Sequence, residues 1–216
     1  MKIKACLFDL DGVLVDTAKY HYLAWKRLAN DLGFDFTEQD NERLKGVSRM
    51  RSLDILLEIG GKSLTDAEKL DVATKKNVWY VDFIEKMPKD EILPGAKEFL
   101  EELRQAGVKI ALGSASKNAM RILERLEITG YFDAIIDGTK VEKAKPDPEV
   151  FLKGAESLGL SAEECVVFED AEAGVEAAIA GGMKVVGVGD PEILSKADMN
   201  INSLAEMSVK RLEYFN

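Results

Sequence analysis

The chain has 216 residues, 39 acidic against 29 basic side chains, a formal net charge of -10, one histidine and two cysteines. At 46% hydrophobic and 31% charged residues it has the make-up of a globular protein with room for one good core and a smaller second one. The acidic balance opposes nucleic-acid binding, no apolar run approaches the roughly 20 residues of a membrane span, and His21 alone cannot build a His-rich metal site.

Met1-Lys2-Ile3-Lys4 leads straight into a strand-like segment with no cleavable signal pattern, so a cytoplasmic protein is expected. Cys6 and Cys165 lie inside apolar runs and read as buried small hydrophobes. A monomer whose chemistry runs mainly on carboxylates is the resulting expectation, with a small-molecule partner and neither nucleic acid nor membrane.

In chain order, 3–8 reads as a strand and 13–17 as a linker. About eighty residues of helical patterning follow, without a convincing strand. Ala18, Tyr22, Trp25, Ala29 and Leu32 form one apolar stripe; Leu70, Ala73, Val78, Val81 and Ile84 form another. A second linker, 88–94, ends this interval. Strands at 108–112, 134–136, 165–168 and 184–188 then alternate with helices at 95–106, 117–126, 147–158, 173–181 and 203–214. Gly107, Gly159 and Gly181-Gly182 stand where helices should stop. Buried strands separated by helices predict an α/β fold, a parallel sheet with helices on both faces. The interval after the first strand predicts a small helical domain over one end of the sheet.

The candidate chemistry sits after successive strands. Asp9 and Asp11 are two residues apart, so they share a side of an extended chain, and Gly12 lets it turn. A strand-terminating turn explains Asp-Leu-Asp-Gly alone equally well. Ser114-Ala115-Ser116-Lys117-Asn118 is a small polar loop opening a helix, suited to phosphate but also to simple capping. Lys145 follows the third strand with prolines on its far side. Glu169-Asp170 ends an apolar run and suits Mg²⁺, which prefers hard oxygen ligands, although a solvated turn has the same composition.

Taken in order, Asp-x-Asp-Gly, Ser, Lys-Pro and Glu-Asp resemble the haloacid dehalogenase superfamily of phosphotransferases. The resemblance implies a Rossmann-like core over 1–15 and 92–216, with a helical C1-type cap inserted over 16–91. A closer resemblance, to the beta-phosphoglucomutase family within it, rests on residues 8–17 with His21 and Trp25, on Leu44-Lys45-Gly46-Val47-Ser48-Arg49 with Ser52, on Lys76-Asn77 with Tyr80, and on 115–118 and 129–134. It implies a mutase that interconverts beta-glucose 1-phosphate and glucose 6-phosphate through glucose 1,6-bisphosphate; a sugar-phosphate phosphatase shares the same core residues.

By that resemblance Asp9 is the nucleophile and Asp11 the general acid and base. Mg²⁺ is held by Asp9, Asp170, the Asp11 backbone carbonyl and Glu169, the last directly or through a water. Ser114, Ala115 and Lys145 hold the transferring phosphoryl group. Lys45, Gly46, Val47, Ser48, Arg49 and Ser52 form a sugar-phosphate clamp in the cap, helped by Ser116, Lys117 and Asn118 from the core. Thr17, His21, Trp25 and Lys76 complete the binding residues, although the stripe reading makes Trp25, like Trp79, a packing residue. Three departures stand out: Ala171 where the family leads one to expect Ser, Gly113 for a larger residue, and Met50-Arg51 for a more acidic pair, placing an extra cation near the clamp.

Overall fold

The computed structural model describes residues 3–215; Met1, Lys2 and Asn216, part of the expected start and end of the core, lie outside the described residues. Six strands, β1 (Ala5–Phe8), β2 (Lys109–Gly113), β3 (Ala134–Ile136), β4 (Cys165–Glu169), β5 (Lys184–Val188) and β6 (Met199–Ile201), form one sheet in the order β3-β2-β1-β4-β5-β6, every pair parallel. A parallel sheet covered on both faces needs near-continuous apolar strands, and β1 and β4 are buried throughout. β6 was not expected from the sequence.

Among the described residues there are eight α-helices: α1 (Ala18–Asp31), α2 (Glu38–Glu42), α3 (Arg49–Ile59), α4 (Asp66–Lys86), α5 (Ala96–Gln105), α6 (Ala119–Arg125), α7 (Glu149–Leu158) and α8 (Glu172–Ala180). One sheet face packs Cys6, Phe8, Ile110, Leu112, Val166 and Phe168 against α5 and α6. The other packs Leu7, Ala111, Cys165 and Val167 against α7 and α8. The two cysteines are buried and free, and belong to opposite faces, as strand alternation requires of their register. Phe8 and Phe168 stack at 4.7 Å between ring centroids, with Phe99 edge-on at 6.0 and 5.5 Å. This aromatic block lies directly beneath the ends of β1 and β4.

Helices α1 to α4 enclose a separate cluster of Trp25, Leu28, Ala29, Phe36, Leu53, Leu56 and Ala73. The chain leaves the sheet through 13–17 and returns through 88–94, and these segments pair with each other. Val15 bridges Ile92, the Asp16 N–H donates to the Glu91 carbonyl at 3.0 Å and the Leu93 N–H to the Leu14 carbonyl at 3.0 Å.

Two expectations need correction. The second apolar stripe coincides only in part with the buried face of α4. Leu70 and Val78 are each 62% exposed, while Ala73, Lys76, Tyr80 and Ile84 are buried. The inward face includes a lysine, so apolar periodicity misplaces it. The helix expected over 203–214 is two 3₁₀ turns, Leu204–Glu206 and Val209–Phe215, broken at Met207, whose φ of -91° and ψ of 156° are extended. Among the described residues, no helix is long and apolar enough to cross a membrane.

Candidate active site

β1 delivers Asp9 at the sheet's carboxyl edge beside the crossover to β4, where open α/β sheets bind ligands. Asp9 is 4% exposed, and its N–H donates to the Phe168 carbonyl at 3.0 Å, which locks the ends of β1 and β4 together. The chain then turns at Gly12, whose φ is +80° and whose missing side chain leaves room for the Asp170 carboxylate. Asp9 and Asp11 line one cavity. The Thr17 hydroxyl donates to Asp11 Oδ1. Burial, and then the Asp9 charge, push the Asp11 carboxyl up to about 7, against the pull of Lys145 and Lys76.

Lys145 Nζ donates to Asp9 Oδ1 at 2.7 Å and to Glu169 Oε1 at 2.5 Å. Burial opposes its charge, but the two carboxylates outweigh that and raise its pKa. The Lys145 ammonium also sits 4.7 Å from the Phe151 ring centroid. Gly113 makes room for that ring, because a Cβ there would lie 2.7 Å from it; this departure from the family pattern thus has a packing reason. Glu169 is wholly buried, and its second oxygen accepts the Ala171 N–H at 2.8 Å. Asp9, Glu169 and Asp170 each offer an oxygen within 4.8 Å of the others. Burial raises the pKa of both Glu169 and Asp170, and neighbouring carboxylates add to it.

The loop after β2 places Ser114, Ala115, Ser116, Lys117 and Asn118 along the cavity. Ser114 is buried and its Oγ accepts the Ser116 N–H at 3.1 Å; Ser116 Oγ accepts the Asn118 N–H at 3.2 Å. These side chains close the loop on itself, and α6 starts at Ala119, two residues later than expected.

The facing wall comes from α1, α3, α4 and the loop before α3. It carries His21, Trp25, Lys45, Gly46, Val47, Ser48, Arg49, Ser52 and Lys76, as the sequence pattern led one to expect. Ser48 caps α3, its Oγ accepting the Arg51 N–H at 3.3 Å, and Ser52 Oγ donates to the Leu44 carbonyl at 3.4 Å. Lys45 pairs with Glu42 at 2.8 Å. Arg49 and Lys117 form no ion pair among the described residues. Lys76 is 2% exposed; its Nζ lies 2.9 Å from His21 Nδ1 and 4.3 and 4.7 Å from the Trp25 and Tyr80 ring centroids. Trp25 therefore serves both readings, buried in the cap cluster while lining the cavity.

Not every expected residue reaches the cavity. Thr17 stands behind Asp11, and Glu169 behind Lys145. Arg51 is exposed and is not part of the lining, so the extra cation expected near the clamp faces solvent; Met50 lines the cavity instead. Asn77 was passed over although it follows Lys76 directly in the motif. Its Oδ1 accepts from Asn118 Nδ2 at 2.9 Å, a hydrogen bond from core to cap. Ala171, the remaining departure, touches Gly46 across the same gap: a Cβ on Gly46 would lie 2.7 Å from that of Ala171. The cavity between the two walls has a volume of about 400 Å³, within the range of small-molecule sites.

Comparison with known proteins places this arrangement. Residues 3–182 match the haloacid dehalogenase-like hydrolase family. The beta-phosphoglucomutase of Bacillus subtilis is 42% identical over 97% of this chain and 94% of its own. The phosphorylated carbohydrates phosphatase of Thermotoga maritima is 36% identical over 86% of this chain and 85% of its own. Among solved structures, beta-phosphoglucomutase from Clostridium difficile superposes with a TM-score of 0.94 at 42% identity, covering 99% of this chain and 96% of that one. The chain is therefore a haloacid dehalogenase-like enzyme, and within that superfamily it belongs to the beta-phosphoglucomutase family.

Proposed function

We propose that the protein interconverts beta-D-glucose 1-phosphate and glucose 6-phosphate by passing the phosphoryl group through Asp9, with beta-glucose 1,6-bisphosphate as the intermediate. One observation carries this reading beyond a phosphatase of the same fold: the cavity is walled by core and cap together, joined across Asn77–Asn118 and Gly46–Ala171. A phosphoaspartate open to water hydrolyses, so a mutase must close on sugar and exclude solvent. The reading divides the chain into a core of 1–15 and 92–216 and a cap of 16–91, and takes the enzyme to be a cytoplasmic monomer.

In one half-reaction an Asp9 oxygen attacks the C1 phosphorus of the bisphosphate, the C1 oxygen leaves as glucose 6-phosphate, and Asp11 gives that oxygen its proton. In the other, the C6 hydroxyl of glucose 1-phosphate attacks the phosphoaspartate, returns a proton to Asp11, frees the Asp9 carboxylate and regenerates the bisphosphate. A carboxyl poised at about 7 gives and takes a proton near neutrality with little bias. Lys145 and Ser114 hold the transferring oxygens, while Arg49 and Lys117 hold the phosphate that stays on the sugar. Arg49 offers a planar fork and Lys117 a point charge.

The donor set fits Mg²⁺: hard oxygens from Asp9, Asp170 and the Asp11 carbonyl, with buried carboxylates that repel one another without a cation. Glu169 has both oxygens engaged by Lys145 and the Ala171 amide, which favours its acting through a water. When bound, the ion neutralises the repulsion between a carboxylate and a phosphate dianion, about 4 kcal/mol per unit pair at 4 Å and an effective dielectric of 20.

Phosphorus NMR of beta-glucose 1-phosphate with Mg²⁺ and a trace of the bisphosphate tests the reading. Accumulating glucose 6-phosphate is expected; inorganic phosphate alone would leave the phosphatase. Asp9→Ala abolishes either activity, and surviving turnover removes Asp9 as nucleophile.

A further inference from the structure

Glu149 opens α7, four residues after Lys145, and does not line the cavity. Its carboxylate accepts the Glu142 N–H at 3.2 and 3.1 Å and the Lys143 N–H at 2.7 Å. Its own N–H donates to Asp147 Oδ1 at 3.0 Å, and the Asp147 N–H donates to the Ala144 carbonyl at 3.0 Å. Lys153, one helical turn along α7, pairs with Glu149 Oε1 at 2.5 Å and also donates to the Lys140 carbonyl at 2.8 Å. One residue thus grips the segment on both sides of Lys145, upstream through its carboxylate and downstream through its amide.

We propose that Glu149 is a positioning residue for phosphoryl transfer, holding the amides of Glu142 and Lys143 so that the loop aims Lys145 Nζ at Asp9 and Glu169. The inference rests on the reading that Lys145 holds the transferring phosphoryl oxygens. A lysine side chain has many rotamers open to it and keeps its direction only when its backbone is fixed. Misplacing a reacting group by about 1 Å costs on the order of 10²-fold in rate. The Glu142 and Lys143 amides have no other acceptor among the described residues, so removing the carboxylate frees the loop on its upstream side. Lys153 and the two amides hold the Glu149 carboxyl down at about 2, so the clamp is ionised around neutral pH.

Glu149 also lies in the first turn of α7, where an acid stabilises a helix whatever it holds. The test must separate these two roles. Glu149→Gln and Glu149→Ala in the full chain are assayed beside Lys145→Ala, with kcat referred to folded protein. Glu149→Gln is expected to lower kcat about 10- to 100-fold with KM changed less than threefold, since the cap side of the site is untouched. Amide resonances of Glu142, Lys143 and Lys145 should shift together in the same variant. An unchanged kcat per folded molecule, beside a dead Lys145→Ala, overturns the positioning role and leaves the site reading intact. Full turnover by Lys145→Ala overturns the site reading itself. A lowered melting temperature with normal kcat and unmoved Lys145 resonances assigns Glu149 to helix stability alone and likewise overturns the proposal.

Discussion

Lys76 Nζ and His21 Nδ1 lie 2.9 Å apart, within hydrogen-bond distance, and burial, then Arg49, hold the Lys76 pKa well below its ordinary value. Burial first, then Lys76 and Arg49, hold the His21 pKa well below its usual value. The unfolded chain binds a proton near 6.5 that the folded chain refuses, so His21 stabilises the fold above that pH and withdraws this support as pH falls below it. The chain has one histidine, which makes the check direct. Its C2 proton resonance should stay unshifted through pH 6.5 and move only well below, and Lys76→Met should bring the transition back up. A normal titration in the wild-type protein would show that the pair is not formed in solution.

Gly46 adopts a φ of +70° and rests against Ala171. Gly46→Ala adds a Cβ that meets the Ala171 methyl and forces a left-handed backbone costing about 1–2 kcal/mol. Because the added Cβ pushes Ala171 away where cap meets core, KM should rise roughly tenfold, the equivalent of ~1.4 kcal/mol, and the share of inorganic phosphate among products should grow. The backbone strain is borne by the folded chain as a whole and should lower the melting temperature by a few degrees, about 2–4 °C per kcal/mol. Unaltered KM and product ratio would place the closure elsewhere.

Asp170 is stabilised in function and costly in folding. Burial and its carboxylate neighbours hold its pKa well above the ordinary value, so between the two values the folded chain binds more protons than the unfolded one and loses stability as pH rises. Asp170→Asn should therefore raise the melting temperature of the metal-free protein at pH 7. The same change should remove both turnover and the rise in melting temperature that Mg²⁺ gives the wild type. Chelator should stop wild-type turnover, restored by added Mg²⁺. A lower metal-free melting temperature for the variant would contradict the account.

The opposite sign holds at Glu164. Its carboxyl pairs with Lys4 at 2.6 Å and accepts the Ser161 N–H at 3.0 Å, and these contacts hold its pKa down at about 2. The unfolded value is 4.5, so its contribution is complete above pH 4.5 and disappears as pH falls towards 2. Glu164→Gln should melt lower than wild type at pH 6, with the gap narrowing steadily below pH 4.5. A gap that persists at pH 2 would point to packing instead.

Strands β1 to β5 were legible because burial on both faces leaves little but apolar residues, so even their ends fall within two residues of expectation. β6 was not, since Asn200 at its centre breaks the apolar run, whereas β3, equally short and also at a sheet edge, is apolar throughout. On α4 the misreading is more instructive. Lys76 faces inward because two aromatic rings and a histidine nitrogen receive it, a compensation invisible to any hydrophobic period. Asp9, Ser114 and Asp170 could be found because each follows a strand directly, whereas Lys145, nine residues past the end of β3, was marked by its Lys-Pro pattern. Asn77 and Glu149 could not, since their partners, Asn118 and the 142–143 amides, are defined by tertiary approach or loop closure. Gly113 and Ala171 looked like gaps in a pattern, yet each is the small half of a contact whose large or close half lies elsewhere, Phe151 for one and Gly46 for the other.

The paired segments at Val15 and Ile92 have one more consequence. The chain departs from the sheet and re-enters it at hydrogen-bonded neighbours, so everything between them hangs from a two-stranded neck. Whatever is inserted there must bring its two ends within one bridge of each other. The loop-closure entropy grows slowly with insert length, by about 0.6 kcal/mol per doubling. The sheet is still not indifferent to what it carries, because Tyr80, Ile84 and Met87, at the end of α4 and just beyond it, pack into the same buried cluster as its aromatic block. An insert exchanged at these two points would have to bring both a pair of ends one bridge apart and an apolar plug for the sheet's own cluster.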